Sequence, residues 1–151
     1  MAFFKSFKYA FAGLMHCIRT QRNFRFHTFA ALSAIILAYK YNLSHTEKLV
    51  LMFTIVFVLI CEMFNTAVES IVDMCTDEYN PFAKIAKDVA AGSVLVSAFA
   101  AATTGLVLFY DGGLIWRIVC EYVKNPLFWL YVTVGIMYIS GMFFKSKEKR
   151  K

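Results

Sequence analysis

Large apolar residues recur at Phe4, Phe7, Phe11, Leu14 and Ile18, while Lys5, Tyr9 and His16 fall on another side and Lys8 and Arg19 flank the stripe. This spacing predicts an amphipathic helix lying in the membrane interface; a soluble helix packed on a core is the alternative. Gly13 inside it suggests close approach of a ligand or neighbouring helix. Arg19, Arg22 and Arg25 read as a polar connector, followed by a first span over 26–39. That span is short for ~30 Å of hydrocarbon, so Lys40 is expected to snorkel. Tyr41, Asn42 and Leu43 form a turn, and Ser44-His45-Thr46-Glu47 has capping-box spacing, starting the next helix near Thr46. A second span covers 49–72, residues 74–80 break into water, and Asn80-Pro81 reads as the N-cap and first residue of a helix that becomes a third span over 89–109. Ser93, Ser97, Ala101 and Gly105 place small side chains every fourth position along it, a pattern that lets membrane helices approach closely. Asp111-Gly112-Gly113 ends this helix, residues 114–124 look like an amphipathic surface segment, and Asn125-Pro126 opens a fourth span over 127–144. The chain then runs into Lys145, Lys147, Lys149, Arg150 and Lys151.

Composition agrees with this pattern. A chain of 151 residues that is 60% hydrophobic and 17% aromatic, with mean hydropathy +0.59, is one membrane domain rather than a soluble globule. Its net charge of +6 gathers at the two ends, which suits anionic headgroups and argues against nucleic acid. Of the Lys and Arg residues, twelve lie in the termini and the 73–88 loop and four in the two opposite loops, so both termini are expected to be cytoplasmic. Residues 1–18 lack the continuous apolar core and small-residue cleavage site of a secretory signal. Cys17, Cys61, Cys75 and Cys120 form no C-x-x-C pair, and His16, His27 and His45 are scattered, so neither set predicts a metal site or a disulfide framework.

One stretch does not fit a merely structural span. Asn65, Glu69 and Asp73 follow Glu62 by 3, 7 and 11 positions, which puts the four within roughly 80° of arc on one helix face. A carboxylate at bilayer depth costs roughly 2.5–3.5 kcal/mol, and such residues usually mark a pathway or a site. Asp73, at the end of the helix, reads equally well as a solvated terminus. With Asp77, Glu78, Lys87 and Asp88 beside them, these groups form a set suited to phosphoryl transfer: carboxylates for a divalent cation, a lysine for phosphate and a deeper carboxylate for an alcohol. Neither G-x-x-x-x-G-K-[ST] nor G-x-G-x-x-G occurs, so the residues alone do not name ATP.

The run Glu62-Met63-Phe64-Asn65-Thr66-Ala67-Val68-Glu69-Ser70-Ile71-Val72-Asp73, then Glu78-Tyr79 and Ala86-Lys87-Asp88-Val89-Ala90-Ala91-Gly92, resembles the signature of the prokaryotic diacylglycerol kinase family. The resemblance extends upstream through Phe7-Lys8-Tyr9-Ala10 and Arg22-Asn23-Phe24-Arg25-Phe26-His27, and the Arg-Asn-x-x-x-His form is similar to the undecaprenol kinase-like branch. It implies an all-α integral membrane protein: an interfacial helix and connector (1–25), a three-span core (26–111), and an extra fourth span with surface segment and basic tail (112–151). It further implies a homotrimer in the bacterial inner membrane that moves the γ-phosphate of ATP to the hydroxyl of undecaprenol or diacylglycerol with Mg²⁺. Glu62 would be the general base and Asn65 would order the site. Glu69 would hold metal and nucleotide, and Tyr9, Glu78, Tyr79, Lys87 and Asp88 would hold nucleotide.

Two features depart from the family pattern. Gln21 stands where a second metal-binding Glu is usual, and an amide oxygen binds Mg²⁺ more weakly than a carboxylate. The fourth span lies outside the usual core. Gln21 motivates a second reading, a catalytically silent scaffold or regulatory subunit of the same fold. A proton or ion conductor using Glu62 and Glu69 is disfavoured because the acidic face stops short of the opposite leaflet.

Overall fold

The computed structural model describes residues 2–76, 78–110 and 113–142; the expectations for Asp77, Asp111, Gly112 and the tail from Phe143 onward fall outside them. Among the described residues the chain is entirely helical: α1 Ala2–Thr20, α2 Arg22–Lys40, α3 His45–Cys75, α4 Pro81–Phe109, α5 Leu114–Val123 and α6 Pro126–Ser140. Local chemistry accounts for the helix starts. Ser44 and Glu47 close a reciprocal capping box, in which the Ser44 N–H donates to Glu47 Oε2 at 2.7 Å and the Glu47 N–H donates to Ser44 Oγ at 3.3 Å. Asn80 Oδ1 accepts from the Phe82 and Ala83 amides, and Asn125 Oδ1 from the Leu127 amide, each with proline at the first helical position.

Among the described residues two helices, α3 and α4, are long and apolar enough to cross a membrane. Their 31 and 29 residues rise through about 46 and 44 Å at 1.5 Å per residue, more than the ~30 Å of hydrocarbon, so their polar ends clear it. They run side by side, joined by the short 76–80 connection. Ala38, Leu43, Leu51 and Phe109 form a buried cluster where α2, α3 and α4 meet, with the Tyr41 ring edge-on to Phe109 at 5.3 Å. Ser97, 1% exposed, seats α4 closely.

The structure corrects the connector. Gln21 alone interrupts the helices, and Arg22 and Arg25 belong to α2. Arg25 is buried, and its guanidinium donates to the Ile18 and Arg19 carbonyls (both 3.1 Å) and the Ile139 carbonyl (3.2 Å). Helix ends leave carbonyls without intrahelical partners, and one planar cation satisfies those of α1 and α6 together. The start of α2 and the end of α6 therefore lie at the same level, as they must if the chain between them crosses an even number of times. Gly13, by contrast, has no neighbour from the described residues of its own chain within 4 Å of where a Cβ would stand.

The appended α6 packs back on α2. Tyr131 stacks on Phe29 at 5.0 Å and its hydroxyl meets Ser33 Oγ at 2.8 Å; Tyr138 meets Thr28 Oγ1 at 3.1 Å. A Cβ at Gly135 would fall into the Phe29 ring. Gly135→Leu is therefore expected to destabilise the protein by about 1–3 kcal/mol through overpacking, whereas Gly13→Ala gains about 0.5–1 kcal/mol from helix propensity; thermal unfolding of both variants in one detergent measures the contrast.

Candidate active site

The polar face of α3 is divided by depth. Glu62 is 2% exposed, and one turn on the buried Thr66 hydroxyl donates to the Glu62 carbonyl at 2.9 Å. His27 of α2 brings Nε2 to 3.4 Å from Glu62 Oε1, which has no hydrogen bond. Asn65 Nδ2 donates to Glu69 Oε1 at 2.9 Å, leaving Asn65 Oδ1 buried and unpartnered. At the end of the helix, Asp73 pairs across the gap with Lys87 of α4.

Around that ion pair opens a polar cleft of about 350 Å³, which gathers Asp73, Glu78, Tyr79, Lys84, Lys87 and Asp88. Its loop is ordered by Thr76, whose hydroxyl donates to the Glu78 carbonyl at 3.1 Å and accepts from the Glu78 amide at 3.2 Å. The cleft is thus a patch of alternating charges beside two freely exposed carboxylates, able to hold a polyanion only through Lys84 and Lys87 and, for the rest, through a counter-cation.

A second cavity, about 290 Å³ and apolar, runs between α2, α3 and α4. Its walls are small on two sides, with Ala30, Ala31 and Ala34 from α2 and Ala98, Ala101, Ala102 and Gly105 from α4. Val58 and Leu59 of α3 line it, one turn before Glu62, and His27 is the one ionisable residue in its lining among the described residues. Ala101 and Gly105, expected to serve close helix contact, therefore border an open groove. A larger apolar pocket of about 570 Å³ lies between α2 and α5–α6; Lys40 reaches its rim and none of the described residues lining it is acidic.

The structure brings Glu78, Tyr79, Lys87 and Asp88 into one cleft and Glu62, Asn65 and Glu69 onto the face leading down from it. Tyr9 and Gln21 are in neither cavity: Tyr9 is 71% exposed on α1, and Gln21 occupies the α1–α2 break without capping α2 through its side chain. Sequence reasoning missed His27 as the neighbour of Glu62. The signal was present only as the recurrence of alanine four positions after His27 and Ala30, which marks the α2 face turned to the groove.

Cys17 of α1 lies against Thr66 and Glu62, and burial pushes its thiol above the ordinary cysteine range. The thiolate is the reactive form, so less of it is present at a given pH. At pH 8, maleimide is expected to label exposed Cys75 at least about tenfold faster than Cys17, with the lag shrinking as pH rises; peptide mass spectrometry of partly labelled protein checks this.

Comparison with known proteins adds a family. The profile of the prokaryotic diacylglycerol kinase family matches residues 8–109, which runs from within α1 to the end of α4 and leaves α5 and α6 outside. The chain is 42% identical over 107 residues to the undecaprenol kinase of Bacillus subtilis (strain 168), covering 71% of this chain and 87% of that protein. It is 46% identical over 101 residues to a diacylglycerol kinase of Synechocystis sp., covering 66% of this chain and 58% of that protein. The diacylglycerol kinase of Escherichia coli (strain K12) is 27% identical over 107 residues, covering 71% and 88%. No solved structure matches the chain significantly. With the matched segment spanning both long helices, the acidic face of α3 and the residues of the polar cleft, the chain belongs to the prokaryotic diacylglycerol kinase family and is a membrane lipid kinase that uses ATP.

Proposed function

We propose that this kinase transfers the γ-phosphoryl group of ATP to the hydroxyl of undecaprenol, at a site where α3 joins a watery cleft to an oily groove. The observation that carries the reading is Glu62, a buried carboxylate one turn past the end of an apolar groove and on the same helix face as the polar cleft. The groove's volume of about 290 Å³ falls just below the ~300–1,000 Å³ of small-molecule sites, which suits part of one chain better than two. Diacylglycerol is the competing alcohol.

Helix geometry sets the distances. From Asp73, Glu69 lies ~6 Å, Asn65 ~12 Å and Glu62 ~16 Å along α3. A nucleotide anchored at Lys87, Asp88, Glu78 and Tyr79 would extend its phosphates along this face, with the γ-phosphoryl group near Asn65 and Glu69. Glu62 then takes the proton from the lipid hydroxyl as the lipid oxygen bonds to the γ-phosphorus, the bond to the β–γ bridging oxygen breaks, and ADP leaves. Lys87 balances phosphate charge. Tyr9, exposed on α1, is free to approach the phosphates from the surface or from another copy in a homotrimer. The four helices α2, α3, α4 and α6 would cross the bacterial inner membrane with both termini cytoplasmic, α1 lying in the interface.

Mg²⁺ fits the oxygens available. Asn65 Oδ1 is buried without a partner beside the Glu69 carboxylate, and Mg²⁺ takes one or two carboxylates and completes its shell with phosphate and water. Among the described residues no three His, Cys, Asp or Glu side chains converge into a cage, which suits an ion arriving with the nucleotide. Bound there, it would neutralise charge on the β- and γ-phosphates. Gln21 would supply at most an amide oxygen.

Protein in lipid bilayers with Mg-ATP is expected to phosphorylate undecaprenol faster than diacylglycerol, and Glu62→Gln to lower kcat by ~10²–10⁴. Phosphorylation of neither lipid, together with no gain on Gln21→Glu, would instead favour the silent-scaffold reading; a radiolabelled-ATP assay with both lipids side by side decides.

A further inference from the structure

We propose that His27 is a positioning residue for this kinase, its Nε2–H holding one oxygen of the Glu62 carboxylate so that the other is presented to the lipid hydroxyl. The inference rests on the reading of Glu62 as general base and extends it to a residue of another helix.

A carboxylate oxygen removed from water needs a donor, and leaving it without one costs the desolvation of the group. Glu62 Oε1 is in that position. The polar side chains around it do not serve it: Thr66 spends its hydroxyl proton on the Glu62 carbonyl, and the Cys17 thiol interacts with Thr66. His27 Nε2, at 3.4 Å, is the nitrogen within reach among the described residues. The distance is longer than a formed hydrogen bond, as catalytic contacts often are before substrate binds, and a shift of a few tenths of an ångström closes it. Two further features fit an orienting role. The His27 ring stands edge-on to Phe26 at 5.6 Å and 76°, which limits its rotation. It also lines the apolar groove while remaining 18% exposed, so it meets Glu62 where an alcohol at the head of that groove would emerge.

Acting through Glu62, His27 should affect turnover and not nucleotide binding, and only while the carboxylate is there. The test is steady-state kinetics of the full chain in lipid bilayers, using whichever of undecaprenol or diacylglycerol the unmodified protein phosphorylates, for His27→Leu, His27→Gln, Glu62→Gln and the double variant Glu62→Gln/His27→Leu. His27→Leu is expected to lower kcat about 10- to 100-fold with the KM for ATP unchanged. His27→Gln, which keeps an N–H donor, should recover most of that loss. In the Glu62→Gln background, His27→Leu should add less than about twofold, because the interaction it removes is already gone. The proposal is overturned if His27→Leu leaves kcat unchanged, if His27→Gln is as impaired as His27→Leu, or if the loss is the same in both backgrounds, the signature of a purely structural role. An unmodified protein that phosphorylates neither lipid sinks the kinase reading and this inference together, whereas an active protein indifferent to His27→Leu sinks this inference alone.

Discussion

A carboxylate buried in a membrane-length helix is the constraint to which the surrounding structure answers. Glu62 is 2% exposed on a 31-residue helix, and a charge there is tolerated only with polar company or access to water. Three elements supply the surroundings: α1 through Cys17, α2 through His27, and α3 itself through Thr66. None of them fully satisfies the carboxylate, and a stability argument alone would have replaced it with an apolar residue. In the proposed mechanism it is kept for chemistry at the boundary between lipid and water.

A continuous helix is well suited to that boundary because it is a rigid ruler. The polar cleft around Asp73 and Lys87 and the apolar groove ending near Glu62 hang on the same face of α3, about 16 Å apart by helix rise. Sites on helices hold their geometry better than sites on loops, and the one loop in the cleft is itself tied by Thr76 to Glu78. Outside the segment matched by the family, α5 and α6 contribute no acidic residue to either cavity. Their connection to the site is mechanical: Arg25, on the same helix as His27 and the groove's alanines, clasps the ends of α1 and α6, so the appended helix braces the element that carries His27.

What could be read from the chain follows the range of the forces involved. The caps at Ser44, Asn80 and Asn125 were legible because each satisfies backbone groups two or three residues away. The polar face of α3 was legible because a single helical period puts its members together. Arg22 and Arg25 read as connector because charge along a chain signals water, whereas the Ile139 carbonyl that helps bury Arg25 lies 114 positions away. The groove was hidden for a similar reason: a stripe of Ala and Gly fits close helix contact and an open channel equally well, and only the placement of a third helix distinguishes them. His27 belongs to the same class, since nothing within its own helix announces Glu62 as its neighbour.

The central claim, that the lipid alcohol reaches Glu62 through the groove between α2, α3 and α4, is tested most directly by photolabelling. A polyprenol carrying a diazirine in its chain, irradiated with the protein in bilayers and mapped by mass spectrometry, should label groove residues such as Ala34, Ile55 and Ala101, with competition by unlabelled undecaprenol. Labelling confined to the larger pocket between α2, α5 and α6, around Ile118, Tyr122 and Phe128, with none in the groove, would contradict it.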